Sequence, residues 1–184
     1  MASQLFLIAP ADAEPAGFAS ALGRILANLE ISALLLPRGA RSENAYKDFV
    51  KAVRPGAQAA GTAVLIEGEP GLVRTLGADG LHVSDGVEAV SEAVAVLKPE
   101  LIVGAGNIAT RDDAMTTGEL GVDYILFGPL SGAISPAQRE MARWWAETMT
   151  VPSVLSDPEA DLAGYDAEGC EFIGFRAAQL EALP

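Results

Sequence analysis

The sequence predicts an α/β fold, a compact, single-domain (β/α)8 barrel of the TIM type, on three observations: eight short apolar runs, amphipathic stretches between them, and an acidic residue recurring before every second run. The runs are Leu5 to Ala9, Ile31 to Leu36, Ala63 to Ile66, Gly80 to Val83, Leu101 to Gly104, Tyr124 to Gly128, Ser153 to Leu155 and Phe172 to Phe175. Each is nearly continuous rather than alternating, the pattern of a parallel strand covered on both faces.

The stretches between the runs read as helices. Val87, Val90, Ser91, Val94 and Leu97 keep one helical face apolar, and Met141, Trp144, Trp145 and Met149 do so later. Asp85-Gly-Val-Glu88, Thr110-Arg-Asp-Asp113 and Ser135-Pro-Ala-Gln138 are capping-box patterns, the last with Pro136 at the first helical position. Glu30, Asp79, Asp123 and Glu171 precede the second, fourth, sixth and eighth runs at separations of 49, 44 and 48 residues. A spacing of two βα units fits a closed barrel with equivalent alternate strands, and it puts these acids at the N-terminal face as structural groups.

The rival is an open doubly wound sheet, which has the same rhythm. Its glycine-rich turn is missing after the first run, where Ala9-Pro10-Ala11-Asp12 stands. With 184 residues the chain is below the usual barrel length of about 200 or more, so some helices must be short. The stretch from Pro158 to Gly169 is expected to be a poorly formed seventh helix.

A chain this long buries about 70% of its unfolded surface, enough for a core without a disulfide. Its single cysteine and the Met1-Ala-Ser-Gln opening, with no basic n-region, predict a cytoplasmic protein. The apolar run from Leu5 to Pro10 is too short to span a membrane. Twelve basic residues against 25 acidic ones, net charge −13, argue against nucleic acid or anionic membrane as partners. A Cys/His metal site is excluded, since only Cys170 and His82 could supply ligands. No linker divides the chain and apolar residues run evenly from Leu5 to Leu183, so one domain is expected over residues 1–184.

At Gly77-Ala-Asp-Gly-Leu-His-Val, Leu101-Ile-Val-Gly-Ala-Gly and Gly121-Val-Asp-Tyr-Ile-Leu-Phe-Gly-Pro the sequence resembles the thiamine phosphate synthase family, which includes the TenI thiazole tautomerases. The resemblance runs from about Ile31 to the end and implies a (β/α)8 barrel. It implies a transferase of thiamine biosynthesis that joins hydroxymethylpyrimidine diphosphate to a thiazole phosphate, releasing pyrophosphate with Mg²⁺. Such chemistry needs cations at the leaving diphosphate, carboxylates for Mg²⁺ and backbone N–H groups for the thiazole phosphate.

Position by position, the reactive groups of that family are replaced. Its Gln-x-Arg-x-Lys after the second strand corresponds to Leu34, Leu36 and Arg38, leaving one cation, and its Asn-Asp after the third strand to Glu67-Gly68. Its Gly-Gln-x-Asp corresponds to Ser84-Asp85-Gly86-Val87, and its fifth-strand Ser and tautomerase His to Gly106 and Ile108. Its Thr-x-Thr-Lys corresponds to Ala133-Ile134-Ser135-Pro136. Its phosphate-binding Gly-Gly-Ile gives way to Leu155-Ser156-Asp157-Pro158-Glu159, where Asp157 and Glu159 would repel a phosphate. Gly174 and Arg176 could still offer one phosphate contact.

The C-terminal strand ends of such a barrel offer Arg38, Glu67, Glu69, Asp85, Asn107, Ser131, Ser135, Asp157 and Arg176, a set with no nucleophile beside a base. Of these, Arg38, Glu67, Asn107, Ser131, Ser135 and Arg176 are candidates for ligand binding, and Glu67 with Asp85 for a Mg²⁺ pair. The competing reading for Arg176 is a salt bridge to the acids after the seventh strand. His82 is expected to be packing inside a strand, and Cys170 to be structural. One of Trp144 and Trp145 should be core and the other could mark a homodimer contact. Gly104-Ala-Gly106-Asn-Ile resembles half a nucleotide loop. Three function classes stay open: a divergent, catalytically impaired or repurposed family enzyme, a non-catalytic small-ligand module, and a structural partner.

Overall fold

Chain direction, pairing and length settle the architecture in favour of the closed form. The structure, a computed structural model, describes residues 3–162 and 164–181; Met1, Ala2 and Leu183 of the readings above lie outside them. The order is β1 (Gln4–Ile8), α1 (Pro15–Leu26), β2 (Ala33–Leu36), α2 (Glu43–Ala59), β3 (Ala63–Ile66), α3 (Gly71–Leu76), β4 (Gly80–Val83), α4 (Val87–Leu97), β5 (Ile102–Ala105), α5 (Arg111–Glu119), β6 (Tyr124–Phe127), α6 (Pro136–Thr148), β7 (Ser153–Ser156), β8 (Phe172–Arg176) and α7 (Ala177–Glu181). All pairings are parallel, and β8 returns to β1 from Gln4 opposite Phe172 to Ile8 opposite Arg176, which closes the barrel and removes the open-sheet alternative. Among the described residues no helix is long and apolar enough to cross a membrane.

The shortness of the chain is absorbed where the sequence suggested. Helix α3 has six residues, and no helix among the described residues separates β7 from β8. Two apolar layers explain the continuous strands. Phe6, Ile8, Ala33, Leu35, Leu65, Tyr124, Leu126 and Val154 fill the barrel interior, while Leu7, Leu34, Leu36, Val64, Ile66, Leu81, Val83 and Phe127 face the helices. One correspondence drawn from the sequence therefore shifts: Leu34 and Leu36 point outward, and the inward face of β2 carries Ala33 and Leu35 and continues to Pro37. None of these is a cation either.

The recurring acids are strand clamps at the N-terminal end. Asp79 Oδ2 accepts Val64 N–H at 2.7 Å, Asp123 Oδ2 accepts Val103 N–H at 2.8 Å, and Glu171 Oε2 accepts Ser153 N–H at 2.8 Å. In each case the acid before an even strand satisfies the opening N–H region of the odd strand beside it, which a parallel ladder leaves unpaired. At the first of the four places Glu30 is exposed, and the seam is held by Ser32, whose hydroxyl lies 2.6 Å from Gln4 Oε1.

The three capping patterns part company. Thr110 and Asp113 form the full reciprocal box at α5. Ser135 caps α6 by accepting Gln138 N–H at 3.2 Å, but the Gln138 side chain accepts Gly128 N–H and donates to Ile108 O, tying α6 to two strand ends. Asp85 caps nothing: the N-cap of α4 is Gly86, at φ 96°, without a side-chain bond. Glycine is well suited there because a side chain at positive φ is strained.

The Asp-Tyr-x-x-x-Gly-Pro phrase has a packing logic. After Asp123, Tyr124 lays its ring across the barrel interior over Gly104, where a Cβ would stand only 1.9 Å from the ring. Gly128, at φ 101°, passes so close to Ser156 O that a Cβ would lie 2.2 Å away. Cys170 is buried, as a structural residue should be. Trp145 is core and donates Nε1–H to Val151 O at 2.8 Å.

Candidate functional site

The C-terminal mouth is built in two unlike halves. Over β3 and β4 lies a cavity of about 370 Å³ lined by Arg38, Glu67, Gly68, Glu69, Pro70, Leu81, His82, Val83, Ser84, Asp85, Ala89 and Glu92. Three sequence candidates for ligand or metal, Arg38, Glu67 and Asp85, therefore share one space. Glu69 joins them, and Glu92, one helical turn after Glu88 on α4, was not singled out in the sequence. Its i,i+4 spacing from Glu88 was the available signal.

Glu67 is the best-held of these groups. Tyr46, wholly buried on α2, donates its hydroxyl to Leu36 O and accepts Glu67 N–H at 2.9 Å, which fixes the ends of β2 and β3 together. Arg38 N–H donates to Glu67 Oε2 at 2.9 Å. Burial pushes the Glu67 carboxyl above its ordinary range, the Arg38 N–H opposes this, and the negative charge of Asp85 adds to the rise. The Arg38 guanidinium is itself engaged, donating Nε–H to Arg41 O at 3.3 Å.

Other candidates lie elsewhere. Asn107, at φ 57° after β5, is exposed and spends its amide on Ser84 O at 3.2 Å. Ser135 is occupied as the α6 cap, and Ser131 is exposed in the connection before it. None of these lines the cavity, nor does Arg176 on β8. The half nucleotide loop is also accounted for locally: Gly104 makes room for Tyr124, and Gly106 for His82.

The β7–β8 half is closed by its own ion pairs. Asp157, 7% exposed, accepts from Arg139 Nη2 at 2.7 Å and from Tyr165 Oη at 3.0 Å. Arg139 and Arg143 also bridge Glu168, at 3.5 and 2.7 Å. The Tyr165 hydroxyl is pushed up by burial and by the Asp157 charge. Asp157 is thus a neutralised structural acid, which corrects the expectation that it stands free to repel a phosphate. The competing reading of Arg176 as a partner of this acid is replaced: the partner is Arg139, while Arg176 keeps its Nε buried without a hydrogen-bond partner among the described residues and donates its backbone N–H to Gln179 Oε1 at 2.8 Å.

His82 is among the residues lining the cavity, yet it is almost wholly buried. It is 2% exposed, stacks on Tyr124 with an interplanar angle of 14°, and places Nδ1 2.8 Å from Tyr124 Oη. Burial pulls its pKa down to about 4, so the imidazole is neutral near pH 7. Trp144 is half-buried, edge-on to Trp145, with the Arg111 guanidinium 4.7 Å over its ring. Arg111 thus covers one face of the ring singled out as a dimer contact.

Mg²⁺ fits these residues poorly. Among the described residues no group of three or more His, Cys, Asp or Glu side chains is placed to hold a metal ion, and Glu67 and Asp85 alone leave most of an octahedral shell unfilled. A metal carboxylate must also be ionised, whereas burial disfavours that form of Glu67.

Comparison with known proteins agrees with the geometry of the scaffold. Residues 5–156 match the family model described as thiamine monophosphate synthase. The thiamine-phosphate synthase of Rhodospirillum centenum is 32% identical over 156 residues, covering 82% of this chain and 75% of the relative. That of Hyphomonas neptunium is 34% identical over 163 residues, covering 83% and 73%. A solved thiamine phosphate pyrophosphorylase from Pyrococcus furiosus superposes with a TM-score of 0.76 at 16% identity, over 97% of this chain and 88% of that one.

Proposed function

The chain belongs to the thiamine monophosphate synthase family, and from that premise we propose that it keeps the family's barrel as a small-ligand site while no longer joining hydroxymethylpyrimidine diphosphate to thiazole phosphate at an appreciable rate. That coupling breaks the bond from the pyrimidine methylene carbon to the diphosphate oxygen and forms one from the same carbon to the thiazole nitrogen. The diphosphate leaves with the bonding electron pair, so fixed positive charge must meet it as the bond breaks. Of the cavity's lining groups only Arg38 is cationic, against Glu67, Glu69, Asp85 and Glu92. This charge balance is the observation that carries the proposal.

No step is assigned to Mg²⁺, because Glu67 and Asp85 do not make a metal site by themselves. The loss of activity is placed in the missing cations, which a metal could replace only with carboxylates or phosphates of the substrate. On this reading the protein acts in the cytoplasm on a small molecule, as a monomer or homodimer, with neither nucleic acid nor membrane as partner.

The test is direct. Pure protein incubated with both precursors, with and without Mg²⁺, is expected to yield no thiamine phosphate at enzyme concentrations where an active relative completes the reaction. Stoichiometric product formed over many turnovers overturns the proposal. The reading that it is an ordinary synthase then takes its place, with Arg38 and Arg176 as the first residues to replace.

A further inference from the structure

A second cavity, of about 260 Å³, lies at the end of the barrel opposite the mouth. Gln4, Ala33, Ala63, Ile102 and Phe172, all in its lining, are the first residues of β1, β2, β3, β5 and β8. Inward positions of such a barrel are ordinarily filled by bulky side chains. Ala33 and Ala63 are paired in register on β2 and β3, so this wall of the bottom layer carries two methyl groups where larger side chains usually meet. Tyr124 opens β6, four strands around from β2 and so across the barrel from Ala33. Beside it Phe6 stands edge-on to Tyr124, with ring centroids 5.4 Å apart, and edge-on to Phe172 at 6.5 Å. The cavity is therefore a slot between an alanine wall and an aromatic wall. A flat ring fits it, lying on the methyl groups and meeting the aromatic side edge to face.

Charge in this lining is already spent. Asp123 is the one acid there, and its Oδ1 accepts from Lys98 Nζ while Oδ2 accepts Val103 N–H. No residue of the lining is cationic. An anion would meet Asp123 with no counter-charge in the wall, and a cation would meet a carboxylate already paired, so the slot favours an uncharged guest. One polar handle is left. Gln4 Oε1 accepts the Ser32 hydroxyl at 2.6 Å, and the Gln4 amide N–H groups have no acceptor among the described residues.

We propose that the N-terminal end of the barrel is a second binding site, for a flat, uncharged, fused-ring molecule that carries a carbonyl oxygen. The rings lie between Ala33 and Ala63 on one side and Phe6, Tyr124 and Phe172 on the other, and the oxygen accepts from the Gln4 amide. A few placed polar groups in a mostly apolar hollow are the usual make-up of a small-molecule site. The inference does not rest on the reading of the mouth, which lies at the other end of the strands. Tyr124 connects the two ends: its ring lines the slot, and its hydroxyl lies 2.8 Å from Nδ1 of His82, the single histidine. The His82 imidazole resonances therefore report on a guest pressed against Tyr124.

Calorimetric titration of the whole protein with coumarin, coumarin-3-carboxylate and cyclooctanone tests charge and flatness together. Coumarin is expected to bind about tenfold more tightly than the anionic carboxylate or the puckered ketone. Ala63→Leu, which fills the slot, should lower coumarin affinity about tenfold without lowering the melting temperature, and Phe172→Leu, at a half-buried position on the facing wall, should lower it severalfold. The second variant serves if the first does not fold. Coumarin should also shift the His82 Nδ1 resonance of the parent. Absence of coumarin binding up to its solubility limit overturns the inference, as does equal affinity for either control, affinity unchanged in the folded variants, or an unmoved Nδ1 resonance. A dimer that Ala63→Leu splits, with no uptake of coumarin, also overturns it and makes a second copy of the chain the occupant. None of these outcomes touches the coupling assay, which alone decides whether the protein is an active synthase.

Discussion

On the β7–β8 side of the mouth, Asp157 is buried, but Arg139 and the Tyr165 hydroxyl bond to it and Glu168 is bridged twice. On the β3–β4 side, Glu67 is held by one backbone N–H, and Glu69, Asp85 and Glu92 face the same open cavity with Arg38. Both halves are rich in acids, and counting charges along the sequence treats them alike. The difference lies in pairing: carboxylates of the first half are spent on holding a helix-less connection in place, and those of the second keep their field for whatever enters. Net charge forecasts a partner only after the internally neutralised groups are removed from the count.

The largest expected effect that sharpens this contrast is at Asp157. Asp157→Ala leaves Arg139 without its nearest acid and Tyr165 without an acceptor, and should lower stability by about 3 kcal/mol in urea unfolding; the low end of the range for broken buried pairs applies because Arg139 is 28% exposed. A loss below about 1 kcal/mol would mean that the network is no firmer than a surface pair, and the contrast would fail.

Next in size is a pH effect from the other half. The His82 pKa falls to about 4 in the folded state from about 6.5 unfolded, so the unfolded chain binds more protons between these values. Its contribution is complete above about pH 6.5 and disappears as pH falls toward 4, amounting to about 2 to 3 kcal/mol. Glu67, raised by burial, works in the opposite direction: its contribution is present at low pH and is lost as pH rises through its folded pKa. Subtracting the stability-versus-pH curve of His82→Phe from that of the parent isolates the histidine. A flat difference over pH 4 to 6.5 refutes the assignment.

A smaller change is expected for Gly106→Ala. The added methyl would lie 2.7 Å from His82 Nε2, so the ring must tilt away from Tyr124 at a cost of about 1 to 2 kcal/mol, seen in thermal or urea melts. Unchanged stability would mean the gap over His82 is roomier than the backbone suggests. Smallest is Glu67→Gln, which keeps an acceptor for Arg38 N–H and removes a charge that burial disfavours. Its stability should stay within about 0.5 kcal/mol of the parent or rise. A loss comparable to that of Asp157→Ala would erase the distinction between the two halves.

Much of the scaffold was legible because it is written in periodic and local signals. All eight apolar runs became strands, the acids spaced at two βα units became clamps at Asp79, Asp123 and Glu171, and the described residues of the weak stretch from Pro158 contain no helix. The site was legible only in part. Arg38, Glu67 and Asp85 converge because each follows or closely trails a strand of the same barrel edge, a matter of topology. Ser135 and Asn107 were misleading because small polar residues at strand ends serve caps and turns as readily as ligands. The ion-pair network of Arg139, Asp157, Tyr165 and Glu168 spans 30 positions and leaves no periodic trace. That His82 Nε2 lies buried without a hydrogen-bond partner among the described residues depends on the register that sets β4 beside β5 and on Gly106 bearing no side chain, neither of which a reading of β4 alone contains.

The carboxylate clamps at the opposite end of the barrel bear on how the chain comes apart. Asp79 joins β4 to β3, Asp123 joins β6 to β5, and Glu171 joins β8 to β7, so each clamp works within a pair and none between pairs. Partial opening of the barrel should then part β2 from β3, β4 from β5 or β6 from β7 before it splits a clamped pair, in the manner of cooperative subunits of unfolding. The mouth cavity stands over β3 and β4, one such pair, and its carboxylates would keep their relative positions even when a neighbouring seam has breathed.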